Sequence, residues 1–413
     1  MSPEIPAYVF GLLFGVSAAV TYLLTWLLVR FAARFGALDR PDERKVHRVP
    51  VPRLGGLAIF IAVAVALAFG CVISQRIRGT LLPADMWLAL KSLFSSSALA
   101  ALGAQPTALK SFGIFIGLVV MFGLGMYDDT RHASWIWKFA FQMVAAAIVI
   151  HYGVVVQKVT NPFGGAPFEL GNLAVYWTFI WLIGITNAVN LSDGLDGLAS
   201  GIVMIIAGVT FVITLNLMQT RPEQYDMFVL AAIVSIILLG ATLAFLKFNF
   251  YPARIFLGDS GSLFLGFLIA CTAVVSSQIS STTVALVVPI IALGLPILDT
   301  VLAILRRTAK RRNPFQADKE HIHHKMLESG LSHPEAVLVL YGFCVLLGGA
   351  ALVLAFKMNQ YAGLVLFVLT AVTLVGFKRF GILDVSRLWG FGKPKEKNGG
   401  VREQPAKERA KRS

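Results

Sequence analysis

The chain has 413 residues, of which 57% are hydrophobic and 14% charged, with a formal net charge of +14. Counting its 37 glycines as apolar brings about two-thirds of it into that class, against about 45–50% for a soluble domain counted almost the same way. A single core cannot hide such an excess, because even large globular domains keep much of their surface in water. A soluble enzyme, a disordered chain and a disulfide-stapled secreted scaffold are excluded. The chain reads as an all-α polytopic membrane protein.

Cys71, Cys271 and Cys344 each lie inside an apolar run, where a thiol packs as a small hydrophobe. They outline neither a metal site nor a disulfide framework. The opening MSPEIPAYVF has no basic residue before its apolar stretch, so that stretch reads as a permanent span rather than a cleaved signal.

Windows of about 20 apolar residues, the length that crosses a bilayer, fall near 8–29, 55–73, 111–127, 135–152, 173–190, 197–216, 227–246, 262–279, 284–305, 335–356 and 361–377. The basic excess lies in three stretches: 30–54 and 306–333 at +4 each, and 379–413 at +6. The positive-inside rule puts all three in the cytoplasm. About eleven spans satisfy this, with the N-terminus outside and the C-terminus cytoplasmic. Only Arg76, Arg78, Lys91, Lys110, Lys158, Arg221 and Lys357 then face outward, with Lys138 counted in the nearby inner loop. In a soluble protein such clusters would suggest nucleic acid; flanking apolar runs, they speak for the lipid bilayer and against it.

Between spans, 74–110 is a long outer segment with one interfacial helix expected around Met86–Phe94. Residues 154–172 read as a small outer β-hairpin about Asn161-Pro162-Phe163-Gly164-Gly165. Residues 1–378 form one integral-membrane domain. The basic tail 379–413 is expected to be disordered from about 393 and suits anionic headgroups.

Polar residues crowd the inner ends of these spans. Asp128 and Asp129 close the third; Asn187, Asn190, Asp193 and Asp196 lie where the fifth meets the sixth; Asp259 precedes the eighth; His321, His323 and His324 follow the basic run Arg306 to Arg312. Asp299 stands apart, about two turns inside the ninth span. Taken singly, each is as well explained by helix capping, with Asp193 a candidate cap for the sixth span and Ser260 for the eighth. Taken together, five carboxylates on one membrane face repel one another unless a cation joins them or some stay protonated. Oxygen ligands without cysteine point to Mg²⁺ or Mn²⁺. Carboxylates, a divalent cation and basic groups at headgroup height (Lys45, His47 and Arg53 among them) are the parts of phosphoryl transfer. Gly55-Gly56, Gly258 and Gly261 permit close backbone approach.

In this order the segments resemble a known family, the polyprenyl-phosphate N-acetylhexosamine-1-phosphate transferases of glycosyltransferase family 4. The resemblance rests on D-x-P-x-x-R-K-x-H with P-R-x-G-G (Asp39 to Gly56), the paired aspartates, N-x-x-N-x-x-D-G-x-D-G (Asn187 to Gly197), F-L-G-D-x-G-S (Phe256 to Ser262) and H-x-H-H. One branch of that family, the phospho-MurNAc-pentapeptide transferases, carries three consecutive histidines and a lysine after its aspartates. Here the loop reads His321-Ile322-His323-His324, and Thr130-Arg131 follows the pair, which is similar to the undecaprenyl-phosphate GlcNAc-1-phosphate branch.

The resemblance implies a multi-pass enzyme of the bacterial cytoplasmic (inner) membrane, with a UDP-sugar and a polyprenyl phosphate as substrates and Mg²⁺ (or Mn²⁺) as cofactor; a homodimer is a permitted assembly. It implies that Asn190 and Asp259 ligate the metal, and that Asp128 or Asp129 positions and deprotonates the lipid phosphate. Asp193 and Asp196 would orient the nucleotide, and Phe256 would stack on its base. Arg306 to Arg312, His321, His323 and His324 would hold the sugar and diphosphate, with Lys45 and His47 at the lipid phosphate. Direct in-line attack and a covalent aspartyl-phosphate route both fit. The rival from another class is an ion-coupled transporter, but its charged groups belong near the midplane and in related halves; here they lie at one face and no halves repeat.

Overall fold

A computed structural model of the chain describes residues 5–35, 38–39, 50–83, 85, 89, 106–159, 168–277, 293–309 and 322–357. Apolar runs long enough to cross a bilayer become helices, because in hydrocarbon a helix satisfies every backbone group within itself. The described helices are α1 (Ala7–Phe35), α2 (Gly55–Ile73), α3 (Gln75–Leu81), α4 (Pro106–Arg131), α5 (Trp135–His151), α6 (Ala174–Leu191), α7 (Leu198–Thr220), α8 (Tyr225–Asn249), α9 (Gly258–Ser277), α10 (Gly294–Ala309), α11 (Ile322–Glu328) and α12 (His333–Lys357).

Among the described residues, eight helices are long and apolar enough to span: α1, α2, α4, α6, α7, α8, α9 and α12. Each matches an expected window. α5, read as a span, is a shorter apolar helix, and α10 covers only the second half of its window; 278–292 and the window 361–377 lie outside the described residues. Polytopic and helical holds, with eight spans described where eleven were expected. The tail 379–413 and most of the expected interfacial helix also lie outside the described residues. The segment 74–110 does contain α3, which the sequence reading did not anticipate; Ser74 starts it by accepting the Ile77 N–H on its hydroxyl.

α9 is the axis of the bundle: 94% of its apolar window is buried, against 22% for α1. It packs on α4, α6 and α2, while α8 lies between α7 and α1. Exposed aromatics ring the helices near both ends. Tyr8, Tyr176 and Trp177 stand at one end, and Trp26, Tyr127, Trp135 and Trp137 at the other, as side chains do at the two membrane interfaces.

Two short antiparallel pairs complete the fold. β3 (Lys158–Val159) pairs with β4 (Phe168–Glu169) within the segment read as a hairpin. β1 (Leu38–Asp39) pairs with β2 (Val51–Pro52), which the basic, turn-poor sequence between them did not signal.

From Pro52 onward the chain is held against the 256–257 segment by backbone hydrogen bonds. Phe256 N–H donates to Pro52 O at 2.8 Å, Gly55 N–H to Phe256 O at 3.0 Å and Gly56 N–H to Leu257 O at 2.9 Å. A Cβ on Gly56 would stand on the Gly261 backbone, and one on Gly125 on that of Ser260. α2, α4 and the start of α9 therefore meet where only glycine fits.

Candidate active site

Asp128 and Asp129 are neighbours in the last turn of α4, and adjacent helical residues point about 100° apart. They accordingly face different partners. Asp128, 8% exposed, turns toward α5: its Oδ1 accepts the Ala133 N–H at 2.7 Å and its Oδ2 the Lys138 ammonium at 2.6 Å. Asp129 turns toward α9 and accepts the N–H groups of Asp259 (2.8 Å) and Ser260 (3.0 Å) on its two oxygens. The first turn of a helix has unpaired N–H groups and a positive dipole end; at α9 a carboxylate from α4 satisfies them. Gly258, at φ +73°, makes the entry turn, and a Cβ there would press on Asp129 Oδ2 at 2.7 Å.

This corrects two sequence expectations. α9 begins at Gly258, ahead of Ser260, and its cap is Asp129. Asp193 is not the cap of α7, whose first turn follows Gly197.

With its amide held by Asp129, Asp259 presents its side chain to the same lysine. Lys138 Nζ donates to Asp259 Oδ2 at 2.7 Å. Asn190, at the end of α6, donates Nδ2 to Asp259 Oδ1 at 3.2 Å and to Ser262 Oγ at 2.8 Å. Deeper along α5 and α6, Gln142 and Asn187 exchange two amide hydrogen bonds, at 2.7 and 3.2 Å. A polar seam thus runs between α5 and α6 below the carboxylates. The sequence reading placed Lys138 in a loop and missed its part; the available signal was a lone ammonium in WIWKFAFQ, with a glutamine one turn on.

The α6–α7 loop closes the other side. Asp196 Oδ2 accepts the Ala253 N–H at 3.0 Å, and Asp196 N–H donates to His333 Nε2 at 3.0 Å. His333, at the start of α12, also stacks on Tyr251, with centroids 4.8 Å apart. Asn249 ties the same region together, accepting Ser200 Oγ–H at 2.8 Å and donating to Ile255 O at 2.9 Å. Asp193 lies in the loop itself. Burial and the negative charges of Asp259, Asp129 and Asp196 push its carboxyl well above the usual range, and the Arg53 guanidinium opposes them.

Asp128, Asp129, Asn190, Asp193, Asp259 and Arg53 are thus brought to one end of the bundle, with Asp196 at its edge. Phe256 joins through its backbone. Arg306 lies in the last turns of α10, and His323 and His324 open α11, placed by backbone only. Lys45, His47, Arg312 and His321 lie outside the described residues.

The five carboxylates do not converge on one point. Among the described residues no three His, Cys, Asp or Glu side chains form a group able to hold a metal. Two of them do converge, Asp128 and Asp259 on one ammonium, with the Asn190 amide alongside. With the Asn190 amide turned to offer its oxygen in place of Nδ2, these would be the donors Mg²⁺ takes: one or two carboxylates and a neutral oxygen, with waters and substrate phosphates filling the rest. The residues fit a hard divalent cation.

A profile of glycosyl transferase family 4 matches residues 111–277, the stretch from α4 through α9 that builds this site. Relatives extend the likeness further. A probable undecaprenyl-phosphate N-acetylglucosaminyl 1-phosphate transferase of Bacillus subtilis is 37% identical over 74% of both chains. A decaprenyl-phosphate N-acetylglucosaminephosphotransferase of Mycolicibacterium smegmatis is 34% identical over 84% of this chain and 83% of its own. A phospho-N-acetylmuramoyl-pentapeptide-transferase of Listeria welshimeri is more distant, at 29% over 70% of this chain and 90% of its own.

Proposed function

This chain belongs to glycosyl transferase family 4, and we propose that it transfers N-acetylglucosamine-1-phosphate from UDP-GlcNAc to undecaprenyl or another polyprenyl phosphate. UMP leaves, and a cell-envelope glycan (O-antigen, common antigen or teichoic-acid linkage type) is begun at the cytoplasmic face of a bacterial inner membrane. The Bacillus subtilis and Mycolicibacterium smegmatis relatives, named for N-acetylglucosamine transfer, are more similar to this chain than the Listeria welshimeri pentapeptide transferase, which favours that donor over UDP-MurNAc-pentapeptide. One observation carries the reading: two carboxylates from different helices, Asp128 and Asp259, converge on the Lys138 ammonium at one end of a membrane bundle.

Asp259 and Asn190 would hold Mg²⁺, with Asp128 beside them. Bound there, the metal would offset charge on the phosphate oxygens of the donor. The chain's own groups do the rest. Asp129 keeps the start of α9 in place, so that Asp259 faces α5 and α6 rather than water. Lys138 keeps two carboxylates together that would otherwise repel. An oxygen of the lipid phosphate attacks the phosphorus attached to the sugar, and the bond to UMP breaks. A phosphate monoester is largely dianionic at neutral pH, so it brings no proton for Asp128 to remove, and the two anions would come together only across a shared cation or proton.

The test is UMP release by the purified protein in detergent. It should require UDP-GlcNAc, polyprenyl phosphate and Mg²⁺ together, and stop on chelation. Release only with UDP-MurNAc-pentapeptide would move the protein to the other branch. Failure with both donors would sink the transferase reading.

A further inference from the structure

Asp299 takes no part in the reaction outlined above, and its burial needs a reason. It sits within α10, only 6% exposed, where an ionisable group is unfavourable unless its oxygens are engaged. Its Oδ1 accepts the N–H of Ile322 at 2.9 Å, from 23 residues along the chain. Ile322 opens α11 and is itself buried, so the amide that Asp299 holds belongs to the residue just before His323 and His324.

The other end of α11 closes on its own last turn. Ser329 N–H closes on Lys325 O at 2.9 Å and Gly330 N–H on Leu327 O at 3.0 Å. After two more residues the chain reaches His333, which accepts the Asp196 amide. This seven-residue helix thus runs from a buried carboxylate on α10 to the loop that carries Asp193 and Asp196. So short a helix does not hold itself, since isolated helices under about 12–15 residues are marginal; anchors at its ends set its place.

A plain cap would give stability and nothing else. We propose that Asp299 is a positioning residue for the nucleotide-sugar half of the site, acting through the Ile322 amide to fix the backbone that carries His323 and His324. This rests on the transferase reading above and on the sugar-nucleotide role that the family resemblance implies for those histidines.

The test measures kcat and both KM values for wild type, Asp299→Ala, Asp299→Asn and Ile322→Pro. Alanine removes the acceptor, and asparagine keeps one oxygen in reach. Proline removes the N–H while leaving Asp299 in place, at a helix start where proline is well accepted. The alanine and proline variants should each raise KM for UDP-GlcNAc about tenfold, as expected for losing one bond to a charged group. KM for polyprenyl phosphate should not move. Asparagine should recover most of the loss, and the double variant should be no worse than alanine alone, because both changes remove the same bond.

Hydrogen exchange of the 322–328 amides, which needs no turnover, should quicken in the alanine and proline variants and stay near wild type in asparagine. An unchanged KM for UDP-GlcNAc, or a parallel rise in both KM values, reduces Asp299 to a cap and overturns the inference. Wild type that releases no UMP breaks the transferase reading instead. Exchange with uridine diphosphate as probe then still judges Asp299: protection of 322–328 in wild type but not in Asp299→Ala supports it, and equal protection overturns it.

Discussion

At the end of the bundle away from the site, charges meet near water and at the tips of side chains. Arg76 bonds Asp226 at 2.7 Å, with the aspartate side chain 56% exposed, and its guanidinium lies 4.4 Å over the Tyr225 ring. Lys158 and Glu169 pair across β3 and β4 in the open. At the site end the order is reversed. Backbone meets backbone at Gly55, Gly56, Gly125 and Gly261, while carboxylates are turned inward on amides and one shared ammonium. The first arrangement leaves room for side chains to shift; the second has none. Fixed placement of charged groups is what an electrostatically preorganised site requires, and here it rests on glycines that let backbones approach, with Phe245 closing on Gly55 and Leu257 on Gly261.

Substitutions at the two ends should therefore differ in kind. The largest effect is expected at Asp259: Asp259→Asn should lower UMP release by about a thousandfold or more, as for loss of a main electrostatic group, while the protein still inserts and keeps its helical circular dichroism. Near wild-type turnover at saturating Mg²⁺ would remove Asp259 from the site. Next, Gly125→Ala should destabilise by about 1–3 kcal/mol through overpacking, read as a fall in Tm in detergent; an unchanged Tm would mean that α4 and α9 can part without loss.

A smaller effect concerns Asp193. Its carboxyl is pushed up by burial and negative neighbours, so the ionised form is disfavoured in the fold. Whatever stability this group contributes is present in acid and lost as pH rises through its folded pKa. Asp193→Asn should accordingly raise Tm at about pH 8, with the gain shrinking toward acid; a gain that grows toward acid would reverse the sign of the argument. Least of all, Arg76→Ala should change stability by about 0.2–1 kcal/mol, the range for exposed pairs, and leave turnover unchanged. A large loss of turnover there would break the contrast between the ends.

Features set by composition along one stretch of chain were legible beforehand. Hydropathy marks α1, α2, α4 through α9 and α12 to within a few residues, and the inner ends of those runs collect Asp128, Asp129, Asn190 and Asp193 in one place. Features set by meetings across the chain were not. Nothing local says that Asp129 will cap a helix that begins 129 residues later, that Lys138 will sit between two aspartates, or that Asp299 will hold the amide before His323. The same gap bears on how the carboxylates are counted. Five acids were counted on one face, but Asp129 is engaged by amides of α9, and Asp196 holds the Ala253 amide and passes its own to His333. Counting carboxylates overstates how many share a cation when backbone donors compete for them.

The capping of α9 by Asp129 has a consequence for how the protein is made. A ribosome adds about 5–20 residues per second, and the amides that Asp129 accepts lie 130 and 131 residues downstream. Asp128 meets Lys138 after only ten. For on the order of ten seconds the growing chain must hold α4 at the membrane with one aspartate partnered and its neighbour still waiting. Assembly of the site thus waits for α9, and a nascent chain stalled before residue 259 would carry its first catalytic candidates without the helix that orders them.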